Sequence, residues 1–450
     1  MKLIDLKQTS VEGKIILYRS PYDIGLKKVN GQLEVKDDSR IKATLPTLKY
    51  LMGKKCKIVL LTWVKRPDGK VVEALRTTPH ASRLSELLGQ PVKKVNDCVG
   101  QAVRERITAL KPGELLMLEN TRFHPEEMID DDGFARELAK NGELVVFDAF
   151  PQAHRIHAST TGILRHLPAC AGFYLQKEVE AFSKLITEPK KPFVVVIGGA
   201  KVSDKVDAIN NLMNLVDQIL VGGGVANVFL KAKGFEMGSS FMEDVFVDKA
   251  KKEKKDWVEY AREIMGKAKV TSDGGPQGLL RGGGSGIHLP LDLVLGDSLN
   301  NPKQTKIVSV KNTPDGGLTE KHPGGGATSQ ASLPRGGEKK ELVPNDWVAL
   351  DIGPQTASHY QKIISQAKTV FCNGPMGLFE DDRFATGSKA VVQAMSKIDG
   401  TKVISGGDTI ESVNQFADLR SFSHVSLAGG ATLEFLAGKK LPALEPLKIS

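Results

Sequence analysis

Short runs of apolar, mostly β-branched residues recur along the chain: Ile15–Tyr18, Ile58–Leu61, Leu144–Phe147, Phe193–Ile197, Ile219–Val221, Val370–Cys372 and Val403–Ile404. None of them alternates polar with apolar residues, so each is expected to be buried on both faces. That is the pattern of a parallel sheet covered by helices rather than of a sheet with one wet side. Helical patterns lie between the runs, at Leu84–Leu88, Phe134–Leu138, Ala208–Val216 and Ala390–Met395. Strand and helix alternating from end to end place the chain in the α/β class.

A chain of 450 residues is too long for one such core, and two domains are expected. The first is expected over 1–173. A helical stretch at Leu175–Ile186 ends at Glu188-Pro189-Lys190-Lys191-Pro192, so 174–190 reads as an interdomain helix and linker. The second domain is expected from 191. Two segments inside it, near 272–286 and 312–340, are dense in glycine and carry no apolar period, which marks them as insertions. Lys249–Lys255 reads as a solvated helix face.

The chain carries 62 Lys and Arg against 53 Asp and Glu, a formal charge of +9, which favours anionic ligands. With only 6 Tyr and 3 Trp there is no aromatic ladder for stacking bases, so nucleic acid is disfavoured as the partner. Cys56, Cys98, Cys170 and Cys372 are dispersed without a CxxC pair, which argues against a zinc site or a disulfide framework. Residues Met1–Asp5 lack the apolar core of a signal peptide, and no apolar run approaches the ~18 residues of a membrane span. A cytoplasmic protein is the expectation.

Glycine-rich turns follow several of the predicted strands. They are Gly198-Gly199-Ala200-Lys201, Gly222-Gly223-Gly224, Asn373-Gly374-Pro375-Met376-Gly377, Gly406-Gly407-Asp408-Thr409 and Gly429-Gly430-Ala431-Thr432. Glycine lets backbone amides approach a phosphate, and the following helix presents its positive end there. The chain has no G-x-x-x-x-G-K-[ST] loop, and no complete G-x-G-x-x-G follows any of these strands. Lys201 and Lys205 lie four apart where a helix is predicted to start, which would put both ammonium groups on one face to clamp a polyphosphate. A lysine there is unfavourable unless an anion compensates the helix end. Asp408 reads either as a helix N-cap or as a magnesium ligand. In the first half, Arg19, Arg40, Arg66, Arg122 and Arg155 sit at or near predicted strand ends, where α/β sheets bind ligands. Guanidinium groups converging there suit phosphate or carboxylate. His154 and His157 flank Arg155 directly after a strand, and their roles stay open between core, base and phosphate ligand.

These stretches, with Leu118–His124, Asp148-Ala149-Phe150 and Asp351-Ile352-Gly353-Pro354, resemble the phosphoglycerate kinase family over nearly the whole chain apart from the two insertions. The resemblance implies two Rossmann-like domains joined by a helix and a hinge. It implies a nucleotide domain over 191–425 and a C-terminal segment, 426–450, returning to the first domain. It implies a cytoplasmic, glycolytic, ATP-dependent phosphotransferase, acting with magnesium on 3-phosphoglycerate or a related phosphorylated acid, and a monomer. The implied nucleotide site comprises Gly199, Lys201, Lys205, Gly223, Asn373, Pro375, Glu380, Gly406, Gly407, Asp408 and Thr409. Within it Glu380 would hold the ribose and Asp408 the metal. Arg19, Asp23, Arg40, Arg66, Arg122, His154 and Arg155 form the implied acid site, and Arg40, Lys201, Gly407 and Gly430 the implied catalytic set.

The departures from the family pattern cluster in the acid site. Where the family reads R-V-D-F-N-V-P, this chain reads Arg19-Ser20-Pro21-Tyr22-Asp23-Ile24-Gly25. Trp63 stands where a substrate histidine is usual, Gln152 lies in an altered D-A-F-G-T-A-H-R, and Leu427-Ala428 alter the S-T-G-G-G-A of the C-terminal hinge. The arginines still suit a phosphate, whereas Pro21 offers no hydrogen bond and Asp23 is expected to repel a carboxylate. A non-catalytic, nucleotide-binding regulator is the alternative these changes raise.

Overall fold

A computed structural model describes every residue except 244, 249–252, 272–285, 311–339 and 450. The chain divides into two compact units, Met1–Thr187 with Gly438–Ser450, and Glu188–Ala437.

The first unit is built on a six-stranded parallel sheet. Its order is Val92–Lys94, Leu115–Met117, Lys57–Leu61, Ile15–Arg19, Leu144–Phe147, Ala169–Ala171. The uninterrupted apolar runs are its central strands, buried on both faces, which is why they show no alternation. The edge strand Val92–Lys94 is short and partly exposed, and it carries two lysines, so it leaves no apolar run to read. Helices Ser39–Gly53 and Thr78–Leu88 press Ile41, Leu48, Leu51 and Leu84 onto Ile16, Tyr18, Ile58 and Leu60 of the sheet. Each such side chain contributes about 1.5–3 kcal/mol by leaving water.

Asp148, directly after Leu144–Phe147, ties three elements together. Its carboxylate accepts from Tyr18 Oη at 2.7 Å, Thr47 Oγ1 at 2.7 Å and the Leu175 amide at 2.8 Å. The helix that it holds through Leu175, Phe173–Thr187, was expected as a separate interdomain element. It belongs instead to the first unit: its start is held by Asp148, and Phe182 stacks on Phe150 with centroids 5.6 Å apart. The tail is also shorter than the expected 426–450. His424–Ser426 is a strand of the second sheet and Gly430–Leu436 a helix of that unit, so only Gly438 onward joins the first. There the tail bonds the N-terminus, Ile4 N–H donating to Leu447 O at 2.8 Å and Ile449 N–H to Lys2 O at 3.1 Å.

The second unit holds a seven-stranded parallel sheet in the order Lys269–Thr271, Gly286–His288, Gln218–Val221, Phe193–Ile197, Thr369–Asn373, Thr401–Ser405, His424–Ser426. Beside it Thr305–Ser309, Asp292–Gly296 and Val348–Ile352 pair antiparallel, which the expectation of parallel sheets alone did not anticipate. Gly286 and Lys340, placed in the insertions, open strands instead; residues 272–285 and 312–339 lie outside the described residues. Nor does the lysine run form a helix face throughout. Glu253–Asp256 is a strand paired with Val245–Asp248, and Lys255 Nζ reaches Asp207 at 3.0 Å and lies over the Trp257 and Tyr260 rings. Among the described residues no helix is long and apolar enough to cross a membrane, and the four cysteines are buried and free.

Candidate active site

Parallel pairing puts the carboxyl ends of neighbouring strands on one edge, so the turns after them become neighbours whatever their separation in sequence. In the second unit this gathers Gly198, Gly222, Gly374, Gly406 and Gly429. Gly199 N–H donates to Pro375 O at 2.7 Å, Gly223 N–H to Met376 O at 2.9 Å and Gly374 N–H to Thr409 Oγ1 at 2.7 Å. Asn373 Nδ2 and Thr409 Oγ1 both donate to Ser405 O, at 2.9 and 2.7 Å. Glycine is required at Gly374: its φ is +92°, and a Cβ there would stand 2.2 Å from Gly198 O. Gly199, Gly223, Asn373, Pro375, Gly406 and Thr409 therefore lie in one packed floor.

The two lysines do not share a helix face. The helix is Ser203–Leu212, so Lys201 precedes it in an exposed turn. Lys205, inside it, is buried and donates from Nζ to Gly198 O. The turn fails to continue the helix back to Lys201 because the backbone bends there to bring Gly199 against Pro375. The amides of Val202 and Ser203 both donate to Glu243 Oε2, at 2.9 Å. Glu243 was missed, since nothing in its local sequence marks it as a distant helix cap. Asp408 is not an N-cap. Gly406 holds that position with φ +97°, and Asp408 lies exposed in the first turn of Gly407–Phe416, with no hydrogen bond or ion pair among the described residues. An added Cβ at Gly407 would meet open space. Gly430 opens the short helix Gly430–Leu436, and Glu380 is exposed in a turn.

In the first unit the corresponding edge gathers Arg19, the segment after Leu61, the segment after Met117 and the segment after Phe147. Asn120 organises it: Oδ1 accepts from the Val64 amide at 3.0 Å and the Arg122 amide at 3.2 Å, and Nδ2 donates to Val64 O at 2.9 Å. Arg122 Nη1 donates to Lys65 O at 2.7 Å, and Arg19 Nε to Ser159 O at 3.1 Å. Arg19 is fully buried and Arg122 is 6% exposed, yet Arg19 Nη2 and Arg122 Nε have no hydrogen-bond partner among the described residues. Leaving buried donors of a cation unpaired costs about 1–3 kcal/mol each or more, unless a ligand completes them.

Burial brings the Arg19 guanidinium down to about 10, with Glu127 pulling it up and Arg122 beside it pulling it down. Burial also holds Arg122 below its ordinary range; Asp23 and Glu127 raise it, while Arg155 and Arg66 push it down. Arg66 and Arg155 are exposed, and half-buried Arg40 donates from Nη1 to Asp23 O at 2.8 Å. His154 is held down to about 4 by burial and then by Arg155, so it is neutral at pH 7 and adds no cation. Asp23 does not present a free carboxylate to a ligand, contrary to expectation. Oδ1 accepts from the Lys65 amide at 2.8 Å and Oδ2 from Trp63 Nε1 at 3.2 Å.

A family model described as phosphoglycerate kinase matches residues 6–439. The phosphoglycerate kinase of Moorella thermoacetica is 41% identical over 447 residues, 99% of each chain. That of Pelotomaculum thermopropionicum is 37% identical over 442 residues, 98% of each. Among solved structures, phosphoglycerate kinase from Coxiella burnetii superposes with a TM-score of 0.74 at 31% identity over 99% of both chains. The enzyme from Pyrococcus horikoshii does so at 0.76 and 30% identity, over 99% of this chain and 98% of the other. Two helix-covered parallel sheets, an arginine cluster on one and stacked glycine turns on the other thus go with a match over almost the entire length, and the chain belongs to the phosphoglycerate kinase family.

Proposed function

We propose that this chain transfers the γ-phosphoryl group of ATP to the carboxylate of 3-phosphoglycerate, reversibly, as its family does. The bond from the γ-phosphorus to the bridging oxygen breaks, ADP leaves with the electron pair, and a new bond to a carboxylate oxygen forms an acyl phosphate. The observation that carries the reading is the pair of buried guanidinium groups, Arg19 and Arg122, each with a donor left unpaired at a strand carboxyl end. An anion of the acid's kind completes them, with Arg66, Arg155 and Arg40 around it.

On the second unit the glycine floor would take the nucleotide phosphates, with Lys201 and Lys205 as cations and Glu380 on the ribose. Asp408 offers a hard oxygen donor that no other described residue engages, which fits magnesium brought in with the nucleotide. Magnesium would supply charge neutralisation on the phosphates. Arg40, Lys201 and the amides at Gly407 and Gly430 would stabilise charge on the transferring group, since such catalysis is mostly positioning and electrostatics. Nothing in the fold or in the matches favours a non-catalytic regulator. The setting we infer is the cytoplasm.

A coupled assay with ATP, magnesium and 3-phosphoglycerate tests the proposal, with MgADP calorimetry alongside. Turnover in the kinase range of about 1–100 s⁻¹ is expected. Absence of turnover together with absence of MgADP binding at millimolar concentration refutes it.

A further inference from the structure

The two buried arginines are covered by a single side chain. The guanidinium carbons of Arg19 and Arg122 lie 4.2 and 4.3 Å from the centre of the Trp63 ring. Trp63 is itself only 2% exposed, and its ring meets that of His157 edge-on at 5.1 Å. Its Nε1–H is latched to Asp23 Oδ2 at 3.2 Å. Asp23 is fixed in turn by the Lys65 amide on Oδ1 and by Arg40 on its main-chain oxygen. Lys65, with φ +54°, closes the loop by accepting from Arg122 through its own carbonyl. One connected set thus holds an aromatic face against the cations whose free donors mark the site.

We propose that Trp63, latched by Asp23, is the specificity-determining gate of the acid site: the indole has to leave the guanidinium faces before an anion reaches Arg19 and Arg122. The inference rests on the reading that this cluster takes the acid. Trp63 lies against both cations, and with Arg19 fully buried and Arg122 6% exposed an anion has no open route to their free donors while the indole stays. The closed form covers the guanidinium groups without pairing their free donors, so apparent affinity for the acid is the intrinsic affinity scaled by the open fraction. The gate therefore acts on KM and on which acids enter. It does not act on the chemical step, because Trp63 touches no reacting atom in this reading.

The test compares wild type with Trp63→His and Trp63→Phe in steady-state kinetics with 3-phosphoglycerate, together with acid titrations followed by tryptophan emission. Trp63→His should lower KM for the acid on the order of tenfold with kcat within about twofold. Trp63→Phe keeps the bulk and loses the latch, and should fall between. Wild-type emission should change on adding 3-phosphoglycerate without nucleotide, and that change should vanish in Trp63→Phe. The gate is overturned if a folded Trp63→His leaves KM unchanged or raises it. Should that variant fail to fold by circular dichroism, Trp63→Phe decides: an unaltered KM with no acid-induced emission change in wild type sinks the proposal. Arg122→Ala separates the two readings. If it binds the acid as well as wild type does, the acid site itself is misplaced and the gate falls with it. If it loses the acid while the Trp63 variants match wild type, only the gate is wrong.

Discussion

Thr47→Val probes the buried Asp148 network, and its effect should depend on pH. The Thr47 hydroxyl donates to Asp148 Oδ2 at 2.7 Å and accepts from the Phe173 amide at 3.0 Å. Valine keeps most of the volume and loses both bonds. Burial outweighs the lowering bonds from Thr47, the Leu175 amide and Tyr18 and leaves the Asp148 carboxyl raised from 3.8 to about 6. A carboxyl raised in the folded state binds its proton more tightly there than in the unfolded chain. Its contribution to stability is therefore present below 3.8 and lost as pH rises through about 6, a change of about 3 kcal/mol at about 1.36 kcal/mol per pKa unit. The Thr47 bond favours the charged form, so removing it should cost more at pH 8 than at pH 4.5. Orphaning the Phe173 amide costs about 1–3 kcal/mol at either pH. The bond to a charged rather than a neutral carboxyl adds about 1 kcal/mol at the higher one. Urea unfolding followed by far-ultraviolet circular dichroism measures both differences, and titrations elsewhere cancel between wild type and variant. Thr47→Ser restores the hydroxyl and should recover most of the loss. Equal destabilisation at the two pH values, or a serine variant as weak as valine, would refute the reasoning.

Two further changes test the second unit. Gly374→Ala forces a Cβ to 2.2 Å from Gly198 O at φ +92°, so it should destabilise by about 2 kcal/mol or more and lower the melting temperature by several degrees; an unchanged melting curve counts against the packed floor. Lys201→Ala and Asp408→Ala remove exposed charges, and each should weaken MgADP binding about tenfold or more by calorimetry without altering the melting temperature of the free protein; undiminished affinity removes them from the site.

The central strands were legible because burial on both faces leaves unbroken apolar runs, as at Phe193–Ile197. The short strands Val92–Lys94, Ala169–Ala171 and His424–Ser426 were not, because three residues, with polar members in the first and last and two small alanines in the second, carry no period. The antiparallel trio escaped for a different reason: local pattern does not encode which neighbour a strand finds. Candidate site residues were legible where a strand end carries a telling residue type: the glycine turns stack after the strands of the second sheet, and Arg19 and Arg122 lie buried at the carboxyl edge of the first. What could not be read was pairing at a distance. Glu243 capping Val202 and Ser203 is one case, and Asp23 bonded to Trp63 rather than left facing a ligand is another. The Lys201–Lys205 spacing misled because four residues share a face only if the helix has already begun, and it begins at Ser203.

The tail that bonds Lys2 and Ile4 has a consequence for the order of synthesis. The first unit leaves the ribosome first, but it is completed only by Gly438–Ser450, made after the whole of the second unit. At about 5–20 residues per second, the whole second unit is translated while the first waits with the Ile4 amide unpaired and without the Ala443–Ala153 bond beside His154. A nascent chain of this design has its second unit contiguous and able to close at once, whereas its first unit is completed only when Gly438 onward has emerged. Because Leu3 and Lys448 already pair, linking the chain beside them and opening it elsewhere would make that unit contiguous and remove the wait.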